Sequence, residues 1–160
     1  MIIDQTYAQV QNRLIFAKEV PVNETQNPRS MDTLFRKSLR FELELTQDAK
    51  LMHIAVFEPQ DLDTLFIVTL DWESFDMIRQ QQNLCLKSFG LFPAHLCQLL
   101  NQCLTDQLLI AMRDLDARHG TVNLSIYEPT KATYLRHLSL NLVRATPTQA
   151  KAWLAKRYQI

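Results

Sequence analysis

Residues 66–103 read FIVTLDWESFDMIRQQQNLCLKSFGLFPAHLCQLLNQC. Two short amphipathic helix patterns stand side by side in this stretch, set between strand patterns. Asp71 is a good N-cap, and Trp72, Phe75 and Ile78 follow at spacings of three, which predicts a helix ending near Gln81. LCLKSFGL (84–91) then makes a connection with a short extended piece. Pro93 occupies a favourable first-turn position for a second helix. Leu96, Leu99, Leu100, Cys103 and Leu104 form one stripe at i, i+3, i+4, i+7, i+8. A helical hairpin inserted among strands points to a small barrel that the hairpin closes at one end or one face.

Upstream, KSLRFELELT (37–46) is the clearest strand. Leu39, Phe41, Leu43 and Leu45 alternate with Arg40, Glu42 and Glu44, so four apolar side chains share one face. Glu42 and Glu44 share the other face with Arg40, which reads as a solvated charged surface. RLIFAKEVPV (13–22) is a first strand, with Pro21 implying an edge or a strand end. Residues 23–33 are turn-rich. LMHIAVFE (51–58) pairs back as an antiparallel neighbour. Its apolar residues fall on both faces, so something should cover its second side. TLFIVTL (64–70) is a fourth strand.

Downstream, QLLIAMRD (107–114) fits strand or helix equally. TVNLSIYE (121–128) alternates through Val122, Leu124 and Ile126, and LRHLSLNLV (135–143) through Leu138, Leu140 and Leu142. Pro147 opens a last helix running to Ile160. The resulting division is a lead-in over 1–12, one domain over 13–146, and the start of a C-terminal helix over 147–160. The fold class is α+β: an antiparallel seven-stranded barrel or sandwich, with an inserted helical hairpin and a C-terminal helix.

Bulk properties narrow the function. A chain of 160 residues supports one domain with a substantial core. Lys plus Arg and Asp plus Glu both number 17, so the formal net charge is zero, which argues against a nucleic-acid partner. No apolar run is long enough for a membrane helix, and MIIDQTY does not resemble a signal peptide. Only Gly90 and Gly120 occur, which excludes a glycine-rich phosphate loop. His95, Cys97 and Cys103 are separated by two and six positions, which share no helix face, so a zinc site is disfavoured. No histidine stands beside a nucleophile, and no enzyme or cofactor is expected. The three cysteines read as small hydrophobes in a reducing compartment. Trp72, Phe75, Phe89 and Phe92 concentrate aromatic surface around the hairpin. They pack the core and could also wall a pocket for a partner's side chain.

At these residues the chain resembles the N-terminal head domain of the spindle assembly abnormal protein 6 family, the centriolar cartwheel scaffold. Glu73-Ser74-Phe75, Gln81-Gln82-Asn83-Leu84, Phe92-Pro93, Leu99-Leu100 and Cys103 follow the family's PISA motif without a gap. Leu135-Arg136-His137-Leu138-Ser139-Leu140 follows its later Leu-X-His-Leu-Ser-Leu pattern. The strands LIFAKEVPV and RKSLRFELEL are also similar to family counterparts. The resemblance implies the head fold shared with end-joining repair scaffolds, with no cofactor and no catalysis. It implies self-association, head to head, and a place at the centriole, basal body, flagellar base or apical complex, within the cytoplasmic cytoskeleton. Other centriolar or flagellar-base proteins would be partners. The alternative is a heterotypic adaptor of the end-joining superfamily.

Two departures stand out. The family carries a bulky hydrophobe, usually Phe, three positions before Leu135, where this chain has Ala132. A methyl group buries far less apolar area than a phenyl ring. Head pairing should therefore be weak unless Tyr134 takes the role, with Lys131 and Thr133 beside it. The partner-binding set expected is thus Lys131, Ala132, Thr133 and Tyr134, with Phe75, Phe89 and Phe92 as a pocket. Ala150, Trp153, Leu154 and Tyr158 mark about two heptads at most, too few for a stable coiled coil alone. Either the sequence stops short of a coiled coil that the protein has, or it resembles the family's shorter branch, which Ala132 favours.

Overall fold

The alternation in the second strand is realised. In the computed structural model, which describes residues 12–25, 33–116 and 120–158, β2 (Thr33–Leu45) turns Leu39, Phe41, Leu43 and Leu45 into the core. It lies between β1 (Arg13–Thr25) and β3 (Met52–Glu58), antiparallel to both. β4 (Asp61–Leu70) follows β3 as the next antiparallel neighbour. After the helical hairpin come β5 (Leu109–Asp116), β6 (Thr121–Pro129) and β7 (Tyr134–Arg144). The undecided segment 107–114 is thus mostly strand. The lead-in residues before Asn12 lie outside the described residues, as do 26–32, His119 and the chain's last two positions.

The sheet closes in the order β1-β2-β3-β4-β7-β6-β5. Six of its pairings are antiparallel, and β1 meets β5 in parallel. Both closing seams are thin. β1 and β5 pair through Asn23↔Ala111 and Glu24↔Met112 alone, and β4 and β7 through Phe66↔Arg144 and Ile67↔Val143. Pro21 pairs with Ser38 in the interior of β1, at a position where the strand's other edge has no strand partner among the described residues. Its missing N–H is therefore harmless.

The hairpin consists of α1 (Trp72–Gln82), a 3₁₀ turn (Phe89–Leu91) and α2 (Phe92–Leu104). Asp71 caps α1 by accepting the Ser74 N–H at 2.8 Å, and Asn83 ends it in the left-handed region at φ 54°. Pro93 lies in the first turn of α2, where no N–H is needed. Phe92, Leu96, Leu99, Leu100 and Cys103 are buried. Leu96 and Leu100 meet Phe41, Leu43, Val56 and Leu140 around a narrow apolar gap, so α2 plugs the barrel interior.

The third helix, α3 (Pro147–Tyr158), lies on the outer face of β3 and β4. Ala150 and Trp153 pack on Ala55, Phe57 and Leu65, which is the cover the two-sided apolar pattern of 51–58 demanded. One expectation is overturned here. Glu42 and Glu44 are not a solvated surface; they are 5% and 1% exposed. Lys156 Nζ reaches Glu44 Oε1 at 2.6 Å, and Arg40 Nε donates to Glu42 Oε2 at 2.8 Å. Ion pairing makes this burial tolerable.

Candidate protein-interaction site

The β6–β7 hairpin ends in a tight turn at 130–133. Thr130 N–H donates to the Thr133 carbonyl at 2.7 Å, and the Thr130 hydroxyl donates to the same oxygen at 2.6 Å. The Thr133 N–H returns a bond to Thr130 Oγ1 at 3.0 Å. A threonine that satisfies both ends of a turn makes a defined tip. Lys131, Ala132 and Thr133 are exposed on it, and Tyr134 is half-buried where β7 begins. Leu135 stands 55% exposed beside Tyr134. Behind the tip, His137 Nε2 donates to Glu128 Oε1 at 2.7 Å and ties the two strands together.

The aromatic set behaves differently. Phe75, Phe89 and Phe92 are 0%, 5% and 0% exposed. Phe75 stacks tilted on Phe92 at 5.1 Å and on Phe89 at 5.9 Å. These rings hold α1, the 3₁₀ turn and α2 on the barrel, so they offer no face to a partner as they stand. The exposed large apolar side chains of the hairpin are Trp72, Met77, Leu91 and Leu104. Met77 departs from the 72/75/78 stripe, and an apolar residue on the polar side of a helix was the signal for it. An open groove runs between α1, at Met77, Ile78 and Gln81, and the sheet, at Asn123, Arg136 and Asn141. It lies beside the strand that carries the tip.

Three titratable groups of α2 are shifted by burial. Burial pushes the Cys103 thiol up to about 12 and raises Cys97 as well. Both thiols stay protonated at neutral pH and are poor nucleophiles. Burial, with the neighbouring His137 as a smaller cause, pushes His95 below the usual histidine range. Among the described residues, no three His, Cys, Asp or Glu groups stand close enough to share a metal ion. Among the same residues, no helix is long and apolar enough to cross a membrane.

A sheet that closes on itself, a plugging helical hairpin and a braced exposed tip define a small α+β domain whose surface, not a cleft, carries the distinctive residues. The family model described as the centriolar protein SAS N-terminal domain matches residues 14–142. The chain belongs to that family. Two vertebrate relatives, each a spindle assembly abnormal protein 6 homolog, are similar in sequence. The one from Danio rerio is 29% identical over 141 residues, covering 79% of this chain and 22% of its own length. The one from Xenopus laevis is 29% identical over 135 residues, covering 75% and 20%. The chain thus spans about a fifth of the curated relatives it matches. Among solved structures, an N-terminal fragment of Leishmania SAS-6 containing part of its coiled coil superposes with a TM-score of 0.77. It is 19% identical and covers 93% of this chain and 88% of that one. A fragment of Drosophila melanogaster Sas-6, dimerised via its coiled-coil domain, gives 0.78 at 20% identity, covering 91% and 71%. These likenesses bear out the α+β fold read from the sequence.

Proposed function

We propose that this chain is a structural assembly head of the centriole, basal body or flagellar base, and that it acts by weak head-to-head association without catalysis. The observation that carries the reading is the family match over 14–142, because it spans both the helical hairpin and the β6–β7 tip. The tip is braced and exposed, as an association loop requires. The contact would use Lys131, Ala132, Thr133 and Tyr134 of one copy against the groove beside α1 of another. Ala132 contributes little apolar area, so affinity is low and assembly needs high local concentration. Tyr134 and the exposed Leu135 supply the apolar surface that Ala132 lacks.

Sedimentation equilibrium up to millimolar protein tests this. Concentration-dependent dimers that disappear in Tyr134→Glu and Leu135→Glu are expected. A strict monomer at the highest concentration removes head pairing. A second reading, docking of a different centriolar or flagellar-base protein, draws on the exposed Trp72, Met77 and Leu91. A tagged full-length protein concentrated at the basal body, with no self-association in solution, favours that second reading.

A further inference from the structure

Among the described residues, β7 has a strand on one side only for most of its length. β6 accompanies it from Tyr134 to Val143, whereas β4 reaches it only at Val143 and Arg144. A bare strand edge leaves N–H and C=O groups unsatisfied and offers a template to other strands. At Ser139 the edge is filled by a side chain. Gln82, the last residue of α1, donates from Nε2 to the Ser139 carbonyl at 2.7 Å. Its Oε1 accepts the Ser139 N–H at 2.8 Å. A carboxamide carries a donor and an acceptor side by side, as one edge of a peptide strand does. Glutamate could only accept, asparagine is one methylene shorter, and an apolar side chain could do neither.

Both partners are held in place. The left-handed Asn83 stops α1 at Gln82, and the Leu84 N–H returns to the Arg79 carbonyl at 3.0 Å. The Ser139 hydroxyl accepts from Asn123 Nδ2 at 2.7 Å and from Ser125 Oγ at 3.1 Å. Asn123 Nδ2 also reaches Asn141 Oδ1 at 2.9 Å. Ser139 is therefore the point where α1, β6 and β7 join. Gln82 and Ser139 belong to the two stretches singled out in the sequence, 81–84 and 135–140, and they meet in one double hydrogen bond.

We propose that Gln82 is a positioning residue that serves as a surrogate strand residue, plugging the open β4–β7 seam and locking the helical hairpin to β7. Through β7 it sets how the 130–133 tip is presented; this last step rests on the head-pairing reading. The direct test is amide hydrogen exchange on ¹⁵N-labelled folded protein. In Gln82→Ala, the Ser139 amide should exchange about tenfold faster or more, while the Leu140 amide, which faces β6, keeps its rate. Gln82→Glu retains the acceptor, so Ser139 should stay protected. Unchanged Ser139 exchange in Gln82→Ala overturns the plug. Self-association of the same variants tests the second step: weakening in Gln82→Ala with partial recovery in Gln82→Glu supports it. Faster exchange with unaltered association overturns that step and leaves head pairing standing. If the wild-type chain does not associate at all, head pairing fails, and the exchange data still decide what Gln82 does.

Discussion

The helices α2 and α3 are nearly equal in length, thirteen and twelve residues, yet they bind the barrel by opposite means. α2 inserts an apolar stripe and buries Phe92, Pro93, Leu96, Leu99, Leu100 and Cys103. α3 lies outside, half-buries Ala150 and Trp153, and meets a buried carboxylate through Lys156. The first contact is hydrophobic burial, which scales with area and makes α2 part of the core. The second combines a small apolar contact with an ion pair that must offset the desolvation of Glu44. It follows that α2 should unfold with the barrel, whereas α3 is an attachment to a barrel that is complete without it.

The sharpest way to break this comparison is to cut both helices at their anchors. Leu100→Ala removes a side chain that is 1% exposed and opens a cavity in the barrel, at a cost of about 3 kcal/mol. It should lower the midpoint of denaturant unfolding in one cooperative transition. Trp153→Ala should cost about 2 kcal/mol at most, since the ring is only half-buried. A chain ending at residue 146 should still unfold cooperatively. If that chain is molten, α3 belongs to the core and the contrast collapses.

Lys156→Ala should have a smaller effect, about 1 kcal/mol, because the lysine is 42% exposed and the pair partly wet. The loss should fall on α3: amides of 148–156 should exchange faster while those of β6 and β7 keep their rates. Glu44→Gln should restore part of the loss in the lysine variant, because it removes the charge left under the helix. A lysine variant as stable as the wild type in α3 would show that the apolar contact alone holds that helix.

Parts of this architecture were legible in the sequence, and the rest shows why some parts were not. β2, β6 and β7 alternate because one face is core and the other is not, so their period of two is visible. β5 was not decidable because Ile110, Ala111 and Met112 are buried in succession, which erases the period. Glu44 looked solvated because the helix whose Lys156 meets it lies more than a hundred residues away. Lys131, Ala132, Thr133 and Tyr134 were readable as a candidate contact set between two strand patterns, but the brace by Thr130 and the exposure of Leu135 emerge only from the turn. Phe75, Phe89 and Phe92 were readable as aromatic packing; that they leave no open face follows from their mutual stacking. The Gln82–Ser139 bond spans 57 positions, and no local pattern announces it.

The smallest expected effect is on pH dependence, and it touches both helices. His53 pairs with Glu44 across β2 and β3 and feels the charges of Glu44 and Lys156, with Thr69 Oγ1 2.8 Å from its Nδ1; His95 is on α2. Burial is the largest cause at both sites and pushes both histidines below their ordinary value of 6.5. For His53, the Glu44 carboxylate opposes the shift and Lys156 adds to it. A histidine whose folded value is depressed binds fewer protons folded than unfolded. Its stabilising contribution is therefore present above 6.5 and is lost as pH falls through the lower folded value. Thermal stability should decline on going from pH 7 toward pH 5, before most carboxylates titrate. Because Lys156 helps to depress His53, Lys156→Ala should move the His53 titration upward toward 6.5 and leave His95 where it is. Proton NMR titration of the two ring signals reads this directly. A His53 that titrates at or above the free-histidine value in the wild-type chain would mean that α3 does not cover it.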